Sequence, residues 1–233
     1  MKAITCRALL TLVFVAAQNP ALAQIDEDQL GIWTAYSWST RFAESNWGLK
    51  GDFQLRNWDI YNDLEQHLVR AGVTYSPDSN NNSYRLGLAS VTSSQFGDGT
   101  DTNTENRIFQ EASYPQHIGK RVYLSHRERV EQRWIESQNF RTRYRYSLRM
   151  DMPLNQLNLG EGAWIFSLYN ELFFNGERKI SRSRTVDFFD RNRSYVGIGH
   201  RFQGNLQLQV GYMHQWSDNL DKGQLQLGLS QRF

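Results

Sequence analysis

The sequence predicts an all-β protein, a transmembrane antiparallel up-and-down β-barrel of about twelve strands. Three observations support this fold class. Apolar and polar residues alternate along most of the chain, aromatic residues gather near the ends of the alternating segments, and the last alternating segment ends in Phe233. Because successive side chains of a strand point to opposite faces, this alternation is typical of strands.

The N-terminus has the pattern of a cleaved secretory signal peptide. Two basic residues precede an apolar stretch, 8–17, which is shorter than the roughly 20 residues that a membrane-spanning helix needs. A small-x-small cleavage signature ends at Ala23. We therefore predict a signal peptide over residues 1–23, Sec-type export, and one domain over residues 24–233.

Composition limits the chemistry of the predicted mature chain. The sequence holds 26 basic and 24 acidic residues, and the signal peptide removes two basic ones, so the mature chain is neutral and no nucleic-acid partner is expected. The single cysteine, Cys6, lies in the removed segment, which excludes disulfides and thiol chemistry. No spacing of histidine and acidic residues indicates a metal site, and no cofactor is expected.

Eleven segments along the chain are candidate strands. In the clearest, 140–152, aromatic residues and methionines share one face and arginines dominate the other. Strong alternation also covers 47–56, 206–212 and 224–233, and weaker candidates cover 30–39, 67–76, 83–95, 107–115, 121–135, 163–175 and 191–202.

The number of strands stays open at this point. Bacterial single-chain barrels have an even number of strands. We expect twelve, with a further strand inside 175–190, or ten if the first segment is not part of the wall. Short turns (116–119, 137–139, 204–205) and longer polar stretches (96–105, 175–190, 217–223) separate the candidates. This difference is typical of a barrel with short turns at one end and long loops at the other.

Aromatic residues of the apolar phase suit the two interfaces of a bilayer, where the ring is buried and its polar edge stays wet. We therefore predict that the apolar face meets lipid, in the outer membrane of a Gram-negative bacterium. A soluble periplasmic β protein, with its apolar face inside, is the alternative. The predicted aromatic girdle consists of Trp38, Trp47, Trp134, Tyr144, Trp164, Tyr212 and Trp216.

The last segment, Leu225-x-Leu227-x-Leu229-x-Gln231-x-Phe233, resembles the signal read by the barrel assembly machinery. We therefore expect this machinery as a partner during biogenesis, with Phe233 as the assembly signal, and outer-membrane lipid as the permanent partner.

Four segments together resemble an uncharacterised family of outer-membrane barrels, domain of unknown function 2490. They are Arg127-Glu128-Arg129-Val130-Glu131-Gln132-Arg133-Trp134, Phe140-Arg141-x-Arg143-Tyr144-Arg145, Leu168-Tyr169-Asn170-Glu171-Leu172-Phe173 and Phe189-Asp190-Arg191-Asn192-Arg193-x-Tyr195-x-Gly197-x-Gly199. The resemblance implies an outer-membrane barrel and brings no established activity or catalytic residue.

If the apolar face meets lipid, the arginine-rich face lines the interior. Charges in a narrow lumen are costly unless they are paired or solvated. One interpretation is a structural barrel filled by arginine–carboxylate pairs, and the other is a basic wall that favours a small anionic solute, in a narrow channel or a binding site. The predicted basic wall consists of Arg127, Arg129, Arg133, Arg141, Arg143, Arg145 and Arg149, and the predicted acidic partners are Asp52, Glu131, Asp151 and Glu171.

An outer-membrane lipid-active enzyme, a hydrolase or acyltransferase, is the alternative function. On one strand, a nucleophile and base on the same face must be two residues apart, and none of the five histidines has a serine or threonine at that spacing. Ser125 and His126 are neighbours and point to opposite faces. A triad across strands depends on register, which the sequence does not provide. We therefore predict no catalytic residue.

Overall fold

The computed structural model describes residues 30–61, 63–77, 82–97, 101–217 and 220–233, in which eleven strands form a closed barrel. The predicted signal peptide lies outside these residues. A short 3-10 turn, Gln203–Asn205, connects the ninth and tenth strands. No helix among the described residues is long and apolar enough to cross a membrane. The strands are β1 (Gly31–Arg41), β2 (Trp47–Asn57), β3 (Leu64–Tyr75), β4 (Ser83–Ser94), β5 (Thr102–Ile118), β6 (Val122–Ile135), β7 (Arg141–Pro153), β8 (Trp164–Asn175), β9 (Phe189–Arg201), β10 (Leu206–Ser217) and β11 (Leu220–Arg232).

Each strand pairs antiparallel with the next, and the barrel closes through a parallel pair between β1 and β11. This seam runs from Gly31 opposite Gln224 to Ser39 opposite Arg232. The all-β barrel prediction is confirmed, whereas the expected number of twelve strands, or ten, is wrong. Eleven hairpin-connected strands leave the first and last pointing the same way, and a parallel ladder joins them without an open edge.

The sequence pattern predicts either a further strand inside 175–190 or a first segment outside the wall, and the structure shows neither. The first segment is a wall strand, because β1 pairs with both β2 and β11. The stretch between β8 and β9 contains one isolated bridge, between Lys179 and Thr185, and contributes no wall strand.

The barrel has two ends, named here after a residue at each. The Phe233 end carries the C-terminal ends of the odd-numbered strands and the connections 42–46, 119–121, 154–163 and 202–205. The Gly31 end carries the C-terminal ends of the even-numbered strands and the connections 136–140 and 176–188. The predicted division into short turns and long loops holds only in part. The short turns 116–119 and 204–205 lie at the end opposite the long stretch 175–190, but the short turn 137–139 shares the end of 175–190, and the long connection 154–163 lies at the other end. Most of 217–223 is also strand, since β10 ends at Ser217 and β11 begins at Leu220.

The strands expose apolar side chains outside and bury polar side chains inside. On β4, Leu86 and Leu88 are 58 % and 63 % exposed, whereas the intervening positions point inward. On β7, Tyr144 and Tyr146 face outward and Arg143 and Arg145 are buried. This polarity is the reverse of a soluble barrel, whose apolar face forms the core.

Glycines allow large rings to lie flat against the inner wall. Gly197 and Gly211 are cross-strand partners beneath Tyr195, and a Cβ on Gly197 would lie 2.1 Å from the Tyr195 hydroxyl. Tyr195 stacks on Tyr169 with ring centroids 4.8 Å apart. The Tyr-x-Gly spacing of β9 is therefore a packing requirement.

Candidate functional site in the barrel lumen

The centre of the lumen is an ion-pair network around Glu131, which is 1 % exposed. Its carboxylate lies 2.8 Å from Arg143 Nη2 and 2.6 Å from Arg145 Nη1. Arg129 and Arg107 approach the same carboxylate to 3.5 and 3.8 Å. Adjacent strands β5, β6 and β7 supply these residues, so the register of the sheet assembles the cluster.

Further carboxylates extend the network around the wall. Glu171 on β8 binds Arg145 at 2.6 Å and Arg127 at 2.7 Å, which bridges β6 to β8. Arg70 binds Asp52 at 2.8 Å, and Arg149 binds Asp151 at the same distance. Each buried carboxylate thus has a guanidinium partner, as the cost of burying charge requires.

Two aromatic rings lie inside the lumen between arginines. Phe109 is fully buried, with the guanidinium carbons of Arg129 and Arg85 at 4.6 and 4.9 Å from its centroid. Phe173 lies 4.5 Å from Arg145 and 4.9 Å from Arg193 by the same measure. These cation–π contacts stabilise guanidinium groups that have been removed from water.

Several lumen cations have no carboxylate partner among the described residues. Arg56 binds the amide oxygen of Gln54 at 3.0 Å, and Arg193 binds that of Gln215 at 2.8 Å. Both guanidinium groups approach the ring of Trp33, at 3.7 and 5.2 Å from its centroid. The Arg56 Nε and the Trp33 indole nitrogen are buried donors with no acceptor in the described part of the chain. This side of the lumen therefore carries positive charge and free hydrogen-bond donors.

Two large cavities lie in the lumen. The inner one, of about 550 Å³, is lined by twelve basic and three acidic residues, and Trp33, Arg56 and Arg193 are among its lining. The other, of about 940 Å³, opens at the Phe233 end. Both are lined by Lys50, Ser113 and Ser125, so they adjoin at this level.

The structure places all seven arginines of the predicted basic wall on the inward phase of β6 and β7. Six of them contact carboxylates. Arg141 is buried, and its side chain makes no hydrogen bond to a described residue. The four predicted acidic partners also face inward and all bind arginine.

The predicted girdle residues lie on the outward phase, at different heights. Trp47 and Trp164 begin β2 and β8 at the Phe233 end, and Trp134 and Trp216 lie near the Gly31 end. Trp38 packs over Gly51, while Tyr144 and Tyr212 lie farther from the strand ends. Phe233 follows β11 and is 67 % exposed.

Sequence reasoning missed several lumen carboxylates, among them Glu105 and Glu111, which are both buried on β5. Glu105 binds Arg107 and Arg133, and Glu111 binds Arg129. The polar composition of 96–105 predicts a loop, whereas β5 already begins at Thr102. The alternation of Glu105, Arg107 and Glu111 on one phase could have indicated a longer strand.

Histidines lie mainly outside the lumen. His126, His200 and His214 face outward, and His126 Nδ1 lies 2.8 Å from the Tyr146 hydroxyl oxygen. No group of three or more histidine, cysteine or acidic side chains in the described part of the chain could hold a metal ion.

The fold and its interior define a class: a closed β-barrel with an apolar outer face and a charged, arginine-rich lumen. The chain belongs to the family described as protein of unknown function (DUF2490), whose model matches residues 30–226. Comparisons with curated proteins and with solved structures returned no match.

Proposed function

We propose that this protein is an outer-membrane β-barrel of a Gram-negative bacterium whose lumen forms a narrow, anion-selective path for small solutes. The observation that carries the proposal is the excess of cations in the inner cavity, with twelve basic against three acidic lining residues. Guanidinium groups bind carboxylate and phosphate oxygens, and rings of such groups favour anions in pores.

The outer face supports the membrane location. The strands are 11–17 residues long, which exceeds the roughly 9–11 residues needed to cross a bilayer as a tilted strand. Leu86, Leu88, Val210 and Leu227 are exposed on the outer wall. An apolar band around a polar interior is typical of transmembrane barrels.

Arginines without a carboxylate partner give the lumen an excess of basic groups over its ion pairs. Glu131, Glu171 and Asp52 pair with arginines, but Arg56 and Arg193 lie beside the cavity without a carboxylate partner among the described residues. Both guanidinium groups line the inner cavity, where an anion in the lumen would pass. The ion pairs narrow the lumen, and the remaining cations determine its selectivity.

Conductance in planar bilayers tests this proposal. With a salt gradient across the bilayer, we expect small current steps and a reversal potential of the sign that indicates anion preference. The double variant Arg56→Gln, Arg193→Gln should reduce the anion-to-cation permeability ratio severalfold, because it removes two charges without leaving a buried carboxylate unpaired. Arg178→Gln is the matched control, since Arg178 pairs with Asp187 in the exposed stretch 176–188.

Folded protein that never conducts would contradict the path and favour the structural barrel filled by ion pairs. A cation preference in the wild type would contradict the role of the unpaired arginines. An equal loss of selectivity in the Arg178→Gln control would assign the effect to surface charge.

A further inference from the structure

A second polar cluster lies on the outer wall, near the Gly31 end, and the lumen proposal does not involve it. His214 on β10 and Ser194 on β9 are directly opposite each other in the sheet and share the outward face. Asp221 on β11 binds His214 Nε2 through its carboxylate. Three adjacent strands thus bring a hydroxyl, an imidazole and a carboxylate together.

His214 lies between Ser194 and Asp221, as the base lies between nucleophile and carboxylate in a catalytic triad. Directly opposite residues in an antiparallel pair have Cβ atoms about 4.5–5.5 Å apart, within reach of a hydroxyl and an imidazole. Asp221 occupies Nε2, and His214 Nδ1 has no partner among the described residues. The Ser194 hydroxyl donates to Asn192 Oδ1 at 3.2 Å, so a bond to the imidazole requires a rotation about the Ser194 χ1. Such bonds are often made only when substrate is bound.

Two amide side chains lie beside the hydroxyl. Asn170 Nδ2 is 2.9 Å from Ser194 Oγ, and Asn192 Nδ2 is 3.0 Å from Asn170 Oδ1. Amide N–H groups next to a nucleophile can stabilise the oxyanion of a tetrahedral intermediate. The cluster therefore contains the four chemical parts that acyl transfer needs.

The surroundings indicate the substrate class. His214 lies between Tyr212 and Trp216 on the same outward face, and Val196 and Ile198 continue the apolar wall toward the Phe233 end. If the barrel is in the membrane as proposed above, Trp216 is at the level of the lipid interface, where the acyl ester carbonyls of lipids lie. A lipid chain can lie along the apolar wall while its ester reaches Ser194.

We propose that Ser194, His214 and Asp221 form a catalytic site for the hydrolysis of long-chain acyl esters of membrane lipids. Ser194 Oγ attacks the ester carbonyl carbon while His214 takes its proton. The ester C–O bond then breaks, and His214 protonates the departing alcohol. Water, deprotonated by His214, attacks the acyl-serine, the bond to Oγ breaks, and the fatty acid leaves as Ser194 regains its proton. Asp221 is a positioning residue that orients the imidazole.

The test uses the full chain folded in detergent micelles with phosphatidylethanolamine carrying labelled acyl chains, and lipid A in a parallel arm. We expect release of labelled fatty acid from at least one lipid, and the two arms distinguish the source of the ester. A fluorophosphonate probe should label Ser194, with the position located by mass spectrometry. Neither readout requires conductance, so failure here is distinguishable from failure of the proposed path.

Matched variants on the outer wall control for folding. Ser194→Ala and His214→Asn should lower hydrolysis about a hundredfold or more, since loss of either member disables such a triad. Ser90→Ala, at an outward serine of β4, and His200→Asn, at an outward histidine whose ring contacts that of Trp164, should leave hydrolysis unchanged. Asp221→Asn should lower kcat with KM unchanged, and Asp221→Glu should restore part of kcat.

Two results would overturn the proposal: folded wild-type protein that releases no fatty acid and takes no label at Ser194, or hydrolysis that persists in Ser194→Ala at the wild-type rate. A loss of activity in Ser90→Ala equal to that in Ser194→Ala would also contradict a specific nucleophile.

Discussion

Glu131 shows how one residue organises the interior. It lies on the central part of β6 with four guanidinium groups within 4 Å, supplied by three strands. Without its carboxylate, the arginines around it would repel one another in a region with little water. The ion pairs of Glu131 are thus needed for these arginines to pack together inside the closed barrel, although the net contribution of buried ion pairs to stability is usually small.

Glu131→Gln tests whether the barrel depends on the Glu131 carboxylate. We expect a loss of about 3–5 kcal/mol in the free energy of unfolding, the range for breaking a buried ion pair by removing one partner. Asp187→Asn, which breaks the exposed pair with Arg178, should cost about 0–1 kcal/mol. Urea unfolding in micelles, followed by tryptophan fluorescence, measures both. Equal losses in the two variants would contradict a network centred on Glu131.

At the scale of the strand, the glycine pair Gly197 and Gly211 of β9 and β10 leads to a second prediction. A Cβ on Gly197 would lie 2.1 Å from the Tyr195 hydroxyl and 2.6 Å from the carbonyl oxygen of Val210. Gly197→Ala should therefore destabilise the barrel by about 1–3 kcal/mol. Gly228→Ala is the control, because the nearest atom to its Cβ is 4.0 Å away. Similar unfolding free energies for both variants would show that Tyr195 is free to move.

One strand pair departs from the apolar outer face. On β5 and β6 the outward side chains of Asn106, Gln132, Gln110 and Glu128 follow one another diagonally across the two strands. Gln110 and Gln132 hydrogen-bond to each other at 3.3 Å, whereas Glu128, at the middle of β6, is exposed and makes no ion pair with a described residue. A charge at this position is unfavourable against lipid.

Glu128→Leu is therefore expected to stabilise the barrel in lipid bilayers by about 1–2 kcal/mol. This gain is smaller than the cost of a basic side chain at the bilayer midplane, because an acidic side chain on the lipid face is less destabilising than a basic one. Glu161→Leu, in the exposed connection 154–163, should leave the unfolding free energy unchanged. Denaturant unfolding from vesicles gives both values. A loss of stability in Glu128→Leu would contradict contact between this face and lipid.

Strand elements were predictable where alternation is strong, as on β7, whose inward arginines follow from period two alone. Their partners were less accessible, because Glu171 reaches Arg127 only through the register of three strands. The same limit concealed the cross-strand neighbours Ser194 and His214, which are twenty residues apart in the chain. Alternation specifies faces, whereas register arises from packing and turn geometry.

At the scale of the whole molecule, the parallel seam and the charge distribution are the two features that sequence patterns left undecided. An even number of strands follows from closure by antiparallel pairs alone, and the β1–β11 seam removes that condition. The imbalance of lumen charge is also a property of the assembled barrel, because a chain with a formal net charge of only +2 can place its cations inside and many of its carboxylates in loops. Glu136, Glu161 and Glu177 are examples, all exposed in connections.

The central claim is that the apolar outer face meets lipid and the polar inner face meets water. Two neighbouring residues of one strand test this claim, because one points outward and the other inward. Tyr36 and Ser37 on β1 are such a pair, and Leu124 and Ser125 on β6 are another. Each position would carry a fluorophore on a single introduced cysteine, in a Cys6→Ser background, with the folded protein in vesicles.

Lipids with brominated chains should quench the fluorophore at Tyr36 and Leu124 and leave that at Ser37 and Ser125 bright, while aqueous iodide should do the reverse. Equal quenching of both members of each pair by iodide, with no effect of brominated lipid, would contradict the account.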